Sequence, residues 1–218
     1  MRFIRIITLT VVLVPLLGES ALVRAQDDSF VKLDFAGTTL IEVPINWEYL
    51  DKNLRRQLNI AGEATVRVAG ITPNIGENVI LISANAYTSS RTPSATLRLS
   101  VRRGKAPTQT EMREASKLPS SVLSQLLEPI ADETRRVMLV NSGVKSVTTT
   151  ASSVLSNRGV ICMFFEFEIK SATRTSLYQT YVCPMGERSV KLSTSYNKSE
   201  ANIFRPITEH VWQSLRIK

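Results

Sequence analysis

Residues 159–184, GVICMFFEFEIKSATRTSLYQTYVCP, decide how this chain folds. Ile161, Met163, Phe165, Phe167 and Ile169 alternate with Cys162, Phe164, Glu166 and Glu168, the period of two that marks a strand with one face on a core. The polar run Lys170–Thr175 interrupts the pattern. It resumes over 176–183, with Tyr178, Thr180 and Val182 on one face and Leu177, Gln179, Tyr181 and Cys183 on the other. A turn centred between Ala172 and Thr173 sets Met163 opposite Val182, Phe164 opposite Tyr181 and Cys162 opposite Cys183. In that register the apolar faces of the two strands coincide. Cys162 and Cys183 are the only cysteines. Directly opposed strand residues come close enough for a disulfide; otherwise they stay as two thiols.

Outward from this hairpin the pattern continues. Residues 147–155 alternate, with Val147, Thr149, Ala151, Ser153 and Leu155 on one face, and Ser156-Asn157-Arg158-Gly159 is a turn signal. Pro184-Met185-Gly186-Glu187 makes the next turn, after which Val190, Leu192, Thr194 and Tyr196 face the core. The result is a four-strand antiparallel meander over 145–196. Two further strands are expected upstream, at 79–87 and 95–102. In the second, Ala95, Leu97, Leu99 and Val101 point inward, and Thr96, Arg98, Ser100 and Arg102 outward. Asn85 and Tyr87 are polar residues late in the first.

Between these strands and the meander lies a helical region. Thr108 with Glu111 three residues later matches a capping box. Leu118-Pro119 divides the region, and Pro129 is expected to kink or interrupt its second half. Val122, Leu123, Leu126, Leu127, Ile130, Val137, Met138 and Val140 supply the expected buried stripe. A last helix is expected to begin at Arg205-Pro206, burying Ile207, Val211, Trp212 and Leu215. Nearer the start, 30–43 reads as two short strands about Ala36-Gly37. Residues 48–60 then read as a helix carrying Leu50, Leu54 and Leu58.

The first 25 residues stand apart. Arg2 and Arg5 precede an apolar stretch, 6–17, and Val23-Arg24-Ala25 offers small residues where a signal peptidase inspects. This is the pattern of a secretory leader, cut between Ala25 and Gln26. The apolar run is too short to span a bilayer. Residues 26–218 then form a single α+β domain with no membrane span. The chain's net charge of +8 falls by two on removal of Arg2, Arg5, Arg24 and Glu19. A moderately basic exported protein is drawn to anionic surfaces. No aromatic-basic motif accompanies the charge, so nucleic acid is not an expected partner. Export also places both cysteines where a disulfide persists.

Chemistry is sparse. His210 is the only histidine, and the expectation for it is a solvated helix position rather than a metal ligand. No Gly-x-Ser-x-Gly elbow and no phosphate-binding glycine loop occurs. Glu166 and Glu168 share a strand face, either as an acid–base pair or, more commonly, as a solvated face. Arg102, Arg103 and Lys105 form the densest basic cluster. It either holds an anionic group at a strand end or is simply solvated. No catalytic, cofactor or metal residue is assigned.

Val43-Pro44-Ile45-Asn46-Trp47 early, Lys191-Leu192-Ser193-Thr194-Ser195-Tyr196 late and residues 207–217 at the end carry a resemblance. The order of elements around them resembles the PsbP-like fold family, which includes the Ran-binding Mog proteins and DcrB-type bacterial envelope proteins. The resemblance implies an antiparallel sheet with helices packed on its faces, in mostly non-catalytic binding or assembly subunits. It transfers no catalytic residue. The expected function is an exported, non-catalytic binding or assembly-accessory module of a bacterial envelope, with an envelope protein or an anionic surface as its partner. The alternative is a carrier of a small ligand or anionic lipid, and a hydrolase comes third.

Overall fold

The computed structural model describes residues 29–70, 78–88, 92–141 and 143–218. The expected leader with its Ala25/Gln26 cut lies outside the described residues. So do residues 71–77, where the sequence leads one to expect a loop, and 89–91, where it leads one to expect a turn.

Seven strands form one antiparallel sheet: β3 (Glu48–Tyr49), β4 (Asn78–Ala86), β5 (Ala95–Arg103), β6 (Val144–Asn157), β7 (Val160–Ser171), β8 (Thr175–Pro184) and β9 (Arg188–Asn197). Their spatial order is β3-β4-β5-β9-β8-β7-β6. A smaller sheet joins β1 (Phe30–Phe35), β2 (Thr39–Pro44) and β10 (Arg216–Ile217), with β2 in the middle. The helices are α1 (Lys52–Val68), α2 (Gln109–Ala115), α3 (Ser120–Leu139) and α4 (Ala201–Ser214). The fold is α+β with a four-strand meander, β6 to β9, as the sequence pattern indicates.

The central hairpin has the expected register, with Met163 opposite Val182 and Phe164 opposite Tyr181. Cys162 and Cys183 form the disulfide. Arg158 and Gly159 make the two-residue turn into β7, both with positive φ (52° and 83°), the conformation that suits the twist of a tight hairpin.

Both faces of the hairpin are covered, where the alternation suggested one. On one face, α4 and the small sheet bury Leu97, Leu99, Val190 and Leu192 against Phe204, Val211, Ile41 and Val43. Cys162, Leu177, Tyr181 and Cys183 belong to this larger core. Burying each such leucine contributes roughly 1.5–3 kcal/mol. On the opposite face, α3 sets Leu127 and Ala131 on Phe165, Phe167 and Val147. This second core covers β6 and β7 and reaches Tyr178 of β8.

Several expectations change. Glu48 and Tyr49 pair with Asn85 and Ala84 as a short strand. The first helix begins only after Asp51, whose carboxylate accepts from the Leu54 amide at 2.8 Å. It runs past Gly62 to Val68 and has no buried residue. Instead Arg55 donates to the Leu81 carbonyl and Asn59 Nδ2 to the Asn78 carbonyl at 2.9 Å. Those β4 carbonyls lie beyond the reach of the two-residue β3, so α1 caps an exposed strand edge.

Pro129 does not interrupt α3, which is continuous over Ser120–Leu139. Its buried residues are Leu127 and Ala131, while Val122, Leu126, Ile130 and Val140 are exposed. Register shifts at 144/146 and 149/151 reverse the alternation along β6. Val147 and Thr149 therefore share a face with Ser152 and Val154 rather than with Ser153 and Leu155. The last helix starts at Ala201, before Pro206. Pro206 is exposed, so the carbonyl its missing N–H leaves unpaired in the preceding turn can reach water.

Candidate functional site

The basic cluster sits where β5 ends against the turn between β8 and β9. Gly104, with φ of 133°, lets the chain leave the sheet. The Gly104 amide donates to the Glu187 carbonyl at 3.0 Å, Ala106 to Gly186 at 2.7 Å, and Gly186 back to Pro107 at 3.0 Å. These bonds lash 104–107 to the β8–β9 turn. Gln109 anchors the far side: its Nε2 donates to the Pro184 carbonyl at 2.6 Å and its Oε1 accepts from the Ile161 amide at 2.8 Å. Thr108 and Glu111 form the expected capping box and start α2 at this point. Hydrogen bonds from Thr108, ahead of the weaker influence of Lys105, hold the Glu111 carboxyl below its ordinary pKa.

This framework borders a half-open cavity of about 170 Å³. Arg102, Arg103 and Lys105 line it, together with Met163, Val182 and Ser189. A shallower concavity of about 520 Å³ adjoins it, sharing Lys105 and Pro107 and bounded by Glu111 and Met112. The Cys162–Cys183 disulfide joins β7 to β8 one residue from Met163 and from Val182, on the opposite side of the sheet. It fixes the spacing of the strands that form the cavity's apolar wall. The three basic residues singled out by sequence thus converge on one cavity. Its apolar and hydroxyl lining comes from the meander, some 60 to 85 residues later in the chain.

A second set of cations lies on the same face of the sheet. Arg98 is opposite Ser193, and Lys191 is opposite Ser100, across the β5–β9 ladder. Both cations are exposed. Beneath them the Tyr178 hydroxyl donates to Ser193 Oγ at 3.0 Å, and Thr180 Oγ1 lies 3.2 Å from Ser193 Oγ. Burial raises the pKa of the Tyr178 hydroxyl, but Lys191, Ser193, Thr180 and Arg98 together outweigh it and leave it below its ordinary value. Sequence alternation placed Arg98 outward. It gave no sign that Lys191 would stand beside it, because that depends on β5 pairing with β9.

Other candidate side chains are engaged in holding elements together. His210 is not simply solvated: its Nε2 lies 2.8 Å from a Glu42 carboxylate oxygen and its ring lies tilted against Phe30, with centroids 4.0 Å apart. It ties α4 to the small sheet. Glu166 accepts from Gln179 Nε2 at 2.8 Å and from Thr150 Oγ1 at 2.9 Å. Glu168 pairs with Lys198 and with Lys170, and these bonds draw its carboxyl below the ordinary range. Asn85 Nδ2 donates to the Tyr87 hydroxyl at 3.2 Å. Among the described residues, no group of His, Cys, Asp and Glu has the arrangement of a metal site, and no helix is long and apolar enough to cross a membrane.

No family model matches the sequence, and no curated protein does. Solved structures do resemble the fold. The solution structure of cyanobacterial PsbP (CyanoP) from Synechocystis sp. PCC 6803 aligns over 89% of this chain and 96% of its own, with a TM-score of 0.50 and 10% identity. LpqN of Mycobacterium tuberculosis, described as involved in cell envelope biogenesis, aligns over 87% and 91%, with a TM-score of 0.42 and 14% identity. A putative regulator from Pseudomonas aeruginosa, PA94, aligns over 87% and 97%, at 0.41 and 7%. The chain has a PsbP-like fold.

Proposed function

We propose that the protein is an exported, non-catalytic binding module of a bacterial envelope, and that it engages an anionic envelope component through the strand-end cavity. The observation that carries this reading is the convergence of Arg102, Arg103 and Lys105 on one hydroxyl- and methionine-lined cavity. A binding role also fits what the other reactive groups are doing. The two thiols are joined to each other, and His210, Glu166 and Glu168 are occupied in contacts between elements. Export through a leader cut between Ala25 and Gln26, leaving a single domain over 26–218, agrees with the disulfide.

The test is a titration of residues 26–218 with phosphatidylglycerol and with phosphatidylcholine vesicles across a range of salt. The expected result is salt-sensitive binding to the anionic vesicles alone, weakened in the variant Arg102→Gln/Arg103→Gln/Lys105→Gln. Equal affinity for both vesicles, or no effect of the variant, would reject the cavity as the contact site.

One observation supports a second reading, a carrier of small amphiphiles. Met163, Val182 and Pro184 form an apolar side to the cavity below its cations. Monomeric lysophosphatidylglycerol would then bind more tightly than glycerophosphoglycerol, which has the same head group and no acyl chain.

A further inference from the structure

We propose that Arg98, Lys191 and Arg102 form an anion track on the open face of the sheet, and that its occupant is a linear phosphodiester polyanion lying along β5 and β9. The inference rests on the strand-end cavity being an anion site, and it names the ligand class that site serves.

The argument begins with register. Arg98, Ser100 and Arg102 occupy successive positions on one face of β5, and their partners on β9 are Ser193, Lys191 and Ser189. One cation therefore stands at each of three successive levels, on β5, then β9, then β5. Same-face positions along a strand recur at roughly 7 Å, so Arg98 and Arg102 are about 13 Å apart and Lys191 lies between them. The track runs directly into the strand-end cavity, because Arg102 and Ser189 line that cavity.

The acidic residue on this face stands off the track: it is Glu48 of the two-residue β3, opposite Asn85 and two strands away from β5. No aspartate or glutamate occupies the face on β5, β8 or β9. Among the described residues neither Arg98 nor Lys191 is in an ion pair. They are diagonal neighbours across the ladder, roughly 7–8 Å apart, and like charges so placed repel. A bound anion relieves that repulsion, and the intervening Ser100 and Ser189 hydroxyls can donate to its oxygens.

The occupant's shape follows from the spacing. A single head group is short enough to meet only one of the three levels. A bilayer would favour exposed apolar side chains able to enter it, yet between Arg98 and Arg102 the two strands present Ser100 and Lys191, and the flanking Ile80 and Val182 are half-buried. Single-stranded nucleic acid would use exposed rings for base stacking, whereas the Tyr178 ring is held under the cations by its bond to Ser193. An extended chain with phosphates at intervals comparable to the cations satisfies all three levels.

The test uses abasic deoxyribose-phosphate oligomers with one, two, four or eight phosphodiesters, titrated into residues 26–218 and followed by fluorescence anisotropy. Affinity is expected to rise steeply up to four phosphates. Arg98→Gln/Lys191→Gln is expected to weaken binding of the four-phosphate oligomer about tenfold, to leave the one-phosphate compound unaffected, and to reduce the slope of log affinity against log salt by about 0.7 per cation removed. Both residues are exposed, and circular dichroism would confirm that the variant is folded. Affinity independent of length, or a double variant equal to the parent, overturns the track. If in that case Arg102→Gln/Arg103→Gln/Lys105→Gln still abolishes anion binding, the strand-end site stands without it; if neither variant matters, both readings fail. Phosphatidylglycerol vesicles that the eight-phosphate oligomer cannot displace would also overturn it, by making a bilayer the occupant.

Discussion

The β5–β9 ladder presents two unlike faces from the same eighteen or so residues. On one side Leu97, Leu99, Val190 and Leu192 are fully buried beneath α4 and the small sheet. On the other, Arg98, Ser100, Lys191 and Ser193 alternate with them, and both cations reach solvent. The backbone is common to both faces, so the difference lies in side-chain parity and in what covers each side. One parity holds the fold together, and the other is free to meet a ligand. By contrast, on the β6–β7 side of the sheet α3 covers that second face with Leu127 and Ala131. The cations therefore stand where helix coverage stops.

The sharpest way to break this comparison is to exchange equal changes across adjacent positions. Leu192→Ala should destabilise the protein by about 2–5 kcal/mol, while Lys191→Ala, one residue away, should stay within about 0.5 kcal/mol. Urea denaturation of both variants checks this, and similar losses would show that both faces are structural. Next in size is the disulfide. Cys162→Ala/Cys183→Ala should cost about 3 kcal/mol by chain entropy over its short loop. Thiol labelling of denatured, unreduced protein should find neither cysteine free. The same variant should weaken anion binding at the strand-end cavity, because the brace behind it is gone.

Smaller effects concern the margins of the site. Thr108→Ala removes one half of the capping box and should cost about 1 kcal/mol by thermal denaturation. The weakest expected effect is a pH dependence. The Glu168 carboxyl is held below its ordinary value by Lys198 and Lys170, so it is ionised more readily in the folded protein than in the unfolded chain. Its contribution is present above the ordinary carboxylate range and is lost as pH falls through the lowered folded-state value. Glu168→Gln should therefore lower the neutral plateau slightly and flatten the acid limb, so that the parent and variant stability–pH curves converge at low pH.

Much of this was legible in the sequence where the determining contacts are local. The 159–184 hairpin needs only its own turn to set Cys162 opposite Cys183, and Thr108 with Glu111 declares a helix start within four residues. Legibility fails where the decision is made elsewhere. The shift at Thr149/Ala151 changes which face Leu155 joins, and no residue there advertises a bulge. Apolar size misleads along α3: Ala131 is buried because it lies against the phenylalanines of β7, while the larger Leu126 and Ile130 are exposed. At the first helix, Leu50 extended the apolar spacing backward and obscured Asp51, which was the true cap. At the last, Arg205-Pro206 looks like a first turn, although an exposed proline is tolerated one turn later. The cavity was half visible: Arg102, Arg103 and Lys105 are adjacent in sequence, but Lys191 joins Arg98 only through strand order.

The most direct test of the divided sheet is an NMR titration of residues 26–218 with the four-phosphate oligomer, observing side-chain signals. The account predicts that the Arg98 Nε–H and Lys191 side-chain resonances shift together with the Tyr178 ring, while the Trp47 and Trp212 indoles on the covered face do not. Shifts confined to the covered face, or absent from Arg98 and Lys191 at saturation, would contradict it.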